Sequence, residues 1–157
     1  MSEPYEERLD GQRVLRTPPP DSHEILCDRI HQWVNRYLPV NSTLKRLPRR
    51  TAVALSSLTS MKPDLALVKD NENRAYLFAE VLLPGDHSAD TVIKKCLCQQ
   101  HLLPRLWIID PRYLNVEVYA SGPHGFRLET ILANRDCLTD AFLPGLECSM
   151  TDLFRDA

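Results

Sequence analysis

The chain has 157 residues, 43% hydrophobic and 25% charged, with a formal net charge of −2. That length suits one domain, residues 1–157, with a core of its own, and the near-neutral balance excludes a global basic field drawing the chain to nucleic acid or an anionic membrane, leaving only a local basic groove open. The N-terminus carries no apolar targeting segment and no apolar run is long enough to cross a bilayer, so a cytoplasmic location without membrane contact is expected.

Residues 3–9 are polar with a few apolar positions and read as a short first helix, ended by Asp10-Gly11. Residues 12–15 are a strand candidate, and prolines 18–20 enforce an extended turn. Asp21 with Glu24 three residues on has the form of a capping box. It opens a helix in which Leu26, Ile30, Trp33, Val34 and Tyr37 recur at helical spacing. Residues 41–50 read as a loop. Lys45, Arg46, Arg49 and Arg50 put four positive charges into six of its residues. Such a run is a solvated surface segment or a set of phosphate contacts. Residues 51–55 are another strand candidate.

Two short runs follow, residues 64–68 and 75–83, rich in Leu, Val and aromatics around the polar Asp70-Asn71-Glu72-Asn73. That is hairpin composition. In an antiparallel hairpin centred on Glu72, Asp64 and Glu80 stand opposite each other on one face, with Cβ atoms roughly 4.5–5.5 Å apart. Two carboxylates so placed repel unless something positive lies between them, and a hard cation such as Mg²⁺ suits them. A slip of one residue would instead turn Glu80 to solvent, and a four-residue polar turn does not fix the register.

Pro84-Gly85 stops the second strand, and Ser88 is placed to cap a helix running to Leu103. Val92, Ile93, Cys96, Leu97 and Leu103 form its expected buried stripe. Asp90, Lys94, Cys98 and His101 fall on another face. Taken alone, the Asp90–Lys94 spacing describes a surface ion pair worth roughly 0.3–0.5 kcal/mol. Residues 105–109 read as a buried strand ending at Asp110-Pro111. Residues 116–120 and 126–131 are further strands, the first alternating Val116, Val118 and Ala120 with Glu117 and Tyr119. Residues 137–148 read as an irregular or edge segment, and Ser149 is placed to cap a last short helix, residues 150–154. The five cysteines, Cys27, Cys96, Cys98, Cys137 and Cys148, are odd in number and scattered, which fits buried reduced thiols. The whole reads as α/β (α+β), a mixed β-sheet flanked by helices.

Certain residues recur here in a familiar order. They are Glu7, Leu9-Asp10-Gly11, Pro18-Pro19-Pro20 with His23, Pro63-Asp64, Glu80-Val81-Leu82, Asp90 with Lys94, and Leu106-Trp107-Ile108-Ile109-Asp110-Pro111. Val116-Glu117-Val118-Tyr119, Leu138-Thr139, Leu143-Pro144-Gly145-Leu146 and Leu153-Phe154 continue the set. Together they span nearly the whole chain, which resembles the Uma-two family of restriction endonucleases within the PD-(D/E)XK nuclease superfamily. The resemblance implies a restriction-endonuclease-like core and a metal-dependent endonuclease that hydrolyses DNA phosphodiester bonds with Mg²⁺ or Mn²⁺. Asp64, Glu80 and the Val81 backbone carbonyl would hold the ion. The superfamily pattern E-x-K sets its lysine two residues past the glutamate, where this chain has Leu82. The family pattern takes it from the following helix, which lands on Lys94, with Lys95 as the fallback. Lys94 would position or help deprotonate the attacking water. Glu7, on the first helix, His23 and Asp90 are implied as secondary site residues.

The family usually reads Glu-Val-x-Ser, and here the last position is Leu83. With Leu82, this keeps open a catalytically silent nuclease-fold protein that binds nucleic acid or a protein partner. An unrelated small α/β domain with structural carboxylates is the third possibility. Cutting both strands of a duplex would call for a homodimer.

Overall fold

The computed structural model describes residues 2–72, 74–83, 85 and 89–157. The expected Ser88 cap, the Pro84 strand stop and Asn73 of the central turn lie outside the described residues.

The chain opens with a hairpin, not a helix. Strands β1 (Tyr5–Leu9) and β2 (Gln12–Arg16) pair antiparallel, with Leu9 opposite Gln12. Only Asp10 and Gly11 connect them, both at positive φ (50° and 80°). That is the backbone of a type I′ turn, for which Asp-Gly is a preferred pair. The expected helix over residues 3–9 fails because Tyr5, Glu7 and Leu9 alternate with exposed Glu6 and Arg8. The period is two, disguised by a glutamate on the inner face.

Helix α1 (Asp21–Tyr37) forms as the spacing predicts, but its capping box does not. Pro20 takes the cap position without a side-chain bond, and Glu24 turns to Arg49 and Arg50 instead. Leu26, Ile30 and Val34 are buried, each contributing roughly 1.5–3 kcal/mol of burial. The segment read as a loop contains a short strand, β3 (Leu44–Arg46). The strand expected over residues 51–55 shrinks to β4 (Val53–Ala54), which pairs with β5 (Ser60–Met61).

The central hairpin is β6 (Leu65–Lys69) with β7 (Arg74–Val81). Strand β8 (Arg105–Asp110) runs parallel to β7, so a crossover must join them. It is built from a π-helical turn, Ala89–Lys94, continued as α2 (Lys95–Gln100). The helix is shorter than expected and ends before Leu103. Strands β9 (Asn115–Gly122) and β10 (Gly125–Ala133) complete a six-stranded sheet of order β10-β9-β8-β7-β6-β3. A separate four-stranded sheet has the order β2-β1-β5-β4. The short pair β11 (Cys137–Leu138) and β12 (Cys148–Ser149) leads to α3 (Met150–Phe154). Ser149 Oγ caps α3 by accepting from Asp152 N at 3.1 Å.

Apolar clusters lie on both faces of the large sheet. One joins Leu65, Leu67, Leu77, Ala79 and Trp107 to α1 and α3. The other joins Ala66, Phe78, Leu106 and Ile108 to Leu97 of α2 and to Leu9, Val53 and Met61 of the small sheet. Strand β7 is central, and all of Tyr76 to Val81 is buried, which explains its continuous apolar run. Glu80 falls on the second face with Phe78. The fold is therefore a mixed α+β arrangement, a mixed sheet flanked by helices.

The start of the crossover packs opposite to expectation. Leu97 and Leu103 of the expected stripe are buried, but Val92 is 62% exposed and Ile93 45%, and Cys96 is exposed, while Asp90 and Lys94 are buried. The pair is no surface ion pair. Cys27, Cys98 and Cys148 are buried thiols as expected; Cys96 and Cys137 are not. No helix among the described residues is long and apolar enough to cross a membrane.

Candidate active site

The bonded register of the central hairpin ends at Leu65 opposite Ala79. One step further, Asp64 faces the Glu80 position. Asp64 is fixed three ways. Its Oδ2 accepts from Val81 N at 2.8 Å and lies 3.4 Å from His23 Nε2. Its backbone carbonyl lies 2.6 Å from His31 Nε2. Its Oδ1 has Arg50 Nη2 at 3.3 Å. His23, in the first turn of α1, also sets Nε2 2.9 Å from the Val81 carbonyl. A carbonyl can only accept, so Nε2 carries the proton.

From the other side, the crossover and the small sheet deliver the remaining charges. Lys94 Nζ lies 2.7 Å from Glu7 Oε1, 3.9 Å from Asp90 Oδ1 and 2.5 Å from Glu80 Oε1, the last outside hydrogen-bond geometry. Arg16 forks between Glu7 Oε2 at 2.7 Å and the two Asp90 oxygens at 2.9 and 3.0 Å. Lys62 N adds a third bond to Glu7 at 2.7 Å. Asp64, Glu80, Asp90, Lys94, Glu7 and Arg16 are each no more than 2% exposed.

Four carboxylates thus share two buried cations, with Arg50 at the margin. Burial is the largest influence on every one of them, and the neighbours decide the outcome. Burial raises the Glu80 pKa well above the carboxylate range; Lys94 opposes this, and the Asp90, Asp64 and Glu7 charges add to it. Burial likewise raises Asp90. In Glu7 and Asp64 burial is outweighed. Lys94, Lys62 N and Arg16 lower Glu7, and His23, Arg50 and Val81 N hold Asp64 at about 2. Burial opposes the charge of Lys94, yet Glu80, Glu7 and Asp90 push its pKa well above the usual value, so the amine stays an ammonium. Burial also opposes charge on His23, but Asp64 and the Val81 carbonyl raise it.

His31 behaves in the opposite way. Its Nε2 faces the Asp64 carbonyl and its Nδ1 lies 2.8 Å from Arg46 Nη1. Only the neutral ring protonated at Nε2 satisfies both. Burial first, then Arg46, lowers its pKa below the usual 6.5. Between 6.5 and that lower value the unfolded chain binds a proton that the folded chain does not, so stability falls as pH drops through this window. Urea denaturation at pH 7.5 and 5.5 should show a larger loss in wild type than in His31→Gln, and equal losses would refute the assignment.

The site residues suggested by sequence distribute unevenly. Asp64, Glu80, the Val81 backbone, Lys94, Glu7, His23 and Asp90 converge, and Glu7 arrives from strand β1 rather than from a helix. Lys95 stays outside, its Nζ 4.8 Å from the centroid of the Tyr119 ring. Arg49 and Arg50 grip Glu24, and Arg49 also holds Asp28. Arg46 meets His31, and Lys45 lies 3.5 Å from Asp70. Sequence reasoning missed Arg16 and Cys27, and it placed Arg50 in a surface basic run rather than beside Asp64. Arg16 sits at an inward period-two position of β2, which its charge made easy to overlook. For Cys27 the signal was its i, i+4 spacing from His23.

The structure is a mixed α+β fold with a buried acid–lysine cluster where β6 begins and β7 ends. The chain matches the Uma2 family, described as "Putative restriction endonuclease", over residues 2–151, and belongs to it. Its fold is shared with a protein of Anabaena variabilis ATCC 29413, described as a "putative nuclease belonging to DUF820". The two superpose with a TM-score of 0.77 over 98% of this chain and 91% of that one, at 18% identity. No curated protein matches the chain.

Proposed function

We propose that this chain is a Mg²⁺- or Mn²⁺-dependent endonuclease of the PD-(D/E)XK kind that hydrolyses DNA phosphodiester bonds. The observation that carries the reading is a pair of buried carboxylate oxygens. Asp64 Oδ1 and Glu80 Oε1 make no hydrogen bond among the described residues and meet only Arg50 at 3.3 Å and Lys94 at 2.5 Å, so a divalent ion would complete what those pairs leave unmade. Carboxylate oxygens and a carbonyl are a donor set that a hard divalent ion accepts. Asp64, Glu80 and the Val81 carbonyl would hold it, with His23 orienting Asp64 and that carbonyl. Such an ion lowers the pKa of a bound water and polarises a phosphoryl oxygen.

The protein's own residues do the rest. Lys94 is an ammonium, so it acts as a donor and a positive charge beside the reacting phosphate, not as the base. Glu7 keeps that ammonium in place, since its two oxygens accept from Lys94, Lys62 N and Arg16. His31 and Val81 N hold Asp64 rigid from both of its ends.

Burial of Glu80 and Lys94 favours a second reading, a silent relative that binds nucleic acid without cutting it. A supercoiled plasmid and a labelled duplex, each with Mg²⁺, Mn²⁺ or chelator, separate the two. Metal-dependent nicking supports the nuclease. Binding without nicking selects the silent relative, and neither binding nor nicking rejects both.

A further inference from the structure

Cys27 has no part in that chemistry, yet it lies against its centre. It follows His23 by four residues on α1, so the two side chains share a face, and both are buried. Cys27 Sγ is 3.5 Å from His23 Nδ1. One donor atom each from His23, Cys27 and Asp64 lie within 4.8 Å of one another. The two oxygens of Asp64 look in different directions. Oδ2 is turned to Val81 N and His23 Nε2. Oδ1, the buried oxygen without a hydrogen bond, is turned to Arg50, whose Nη2 is 3.3 Å from it and 4.0 Å from Cys27 Sγ. One oxygen of the carboxylate therefore meets a backbone N–H and an imidazole, and the other meets a guanidinium that also reaches the Cys27 thiol.

We propose that His23, Cys27 and Asp64 form a second, thiophilic cation site that takes Zn²⁺ and competes with the hard ion for Asp64. Thiolate ligands select zinc over magnesium. Three protein ligands leave a fourth position for water. On binding, the Cys27 S–H bond breaks, a sulfur–zinc bond forms, and one proton passes to solvent without any change of oxidation state. Arg50 already pairs with Glu24 and can give up its place beside Asp64. The competition rests on the hard-ion reading above; the soft site itself does not.

The test uses the full chain with Co²⁺ as a spectroscopic stand-in for Zn²⁺, and calorimetry with Zn²⁺ and Mn²⁺. Wild type should show a near-ultraviolet thiolate-to-cobalt band that disappears in Cys27→Ser. Zn²⁺ affinity should fall more than about tenfold in the variant, since losing even an outer-shell partner costs that much. Mn²⁺ affinity should stay within about threefold. Cys27→Ala serves if the serine variant does not fold. An unchanged band and unchanged Zn²⁺ affinity in both variants would overturn the site. Mn²⁺ binding without a cobalt–thiolate band removes this inference and leaves the nuclease reading intact. A Cys27-dependent band without Mn²⁺ binding does the reverse.

Discussion

Asp64→Asn should bind Mn²⁺ more than about 100-fold more weakly than wild type, beyond the usual cost of losing a ligand's supporting partner, and should not cleave DNA. The reason lies in how completely the carboxylate is prepared. Its pKa is held at about 2 although burial works against ionisation, because His23, Arg50 and Val81 N all favour the charged form. The carboxylate is therefore an anion at every working pH. The amide keeps an oxygen for Val81 N but sets a neutral, partly donor group against Arg50 or His23. His23 supplies a separate check. Its pKa is raised by Asp64 against burial, so its titration, followed by NMR, should move down in the variant. Calorimetry and that titration decide the matter together. Unchanged Mn²⁺ affinity would make Asp64 a structural residue and would sink the proposed active site.

Lys94→Met should lower stability by about 3–5 kcal/mol at neutral pH, the cost of stranding buried partners. Cleavage should fall by roughly 10²–10³, the range for losing one preorganised donor to developing charge. Glu7, Glu80 and Asp90 would then share Arg16 alone. The stability loss carries a pH signature. The folded pKa of Glu80 already lies above its usual 4.5, and Lys94 is the group that opposes the rise. Without it the folded variant takes up a proton while the unfolded chain remains ionised. From that raised value down to 4.5 the variant gains stability as pH falls. Denaturation at pH 8 and pH 5.5 should show the gap to wild type narrowing at the lower value. Lys94→Met combined with Glu80→Gln should recover part of the loss. A stable single variant with a flat pH response would mean that the ammonium does not sit among these acids.

The opposition of Asp64 and Glu80 was one of two registers the sequence left open, and an even hairpin does not give the reason for the one adopted. Near the turn the pairing is Lys69 with Arg74 and Val68 with Ala75. Continued evenly, that register would set Asp64 against Ala79 and turn Glu80 away. A bulge at Tyr76 takes up one residue and restores the pairing of Leu67 with Leu77. Tyr76 is held by its ring against Phe142, 4.7 Å between centroids, and by its hydroxyl near Asp140. Neither partner is close in sequence, so no local pattern could have revealed the shift.

The inverted crossover makes the same point. Helical spacing grouped Asp90, Lys94 and Cys98 correctly on one face, and grouped Val92, Ile93 and Cys96 on another. Hydrophobicity then chose the wrong face to bury. The crossover packs over Glu80 and Glu7, so Lys94 turns inward to neutralise them and Asp90 turns inward to Arg16, while Val92 and Ile93 stay in solvent.

By itself the sequence determined which residue types recur, at what spacing, and hence the long helix, most of the strands and the mixed sheet, because those follow from local periodicity and turn chemistry, which depend on near neighbours. The choice of Asp64, Glu80 and Lys94 as site residues came instead from the resemblance to the family. The tertiary structure alone decided the bulge at Tyr76, the strand that carries Glu7, the inward turn of Asp90 and Lys94, and the approach of Arg16, Arg50 and Cys27. Each depends on what lies across a packed interface, where burial and charge outweigh local preference.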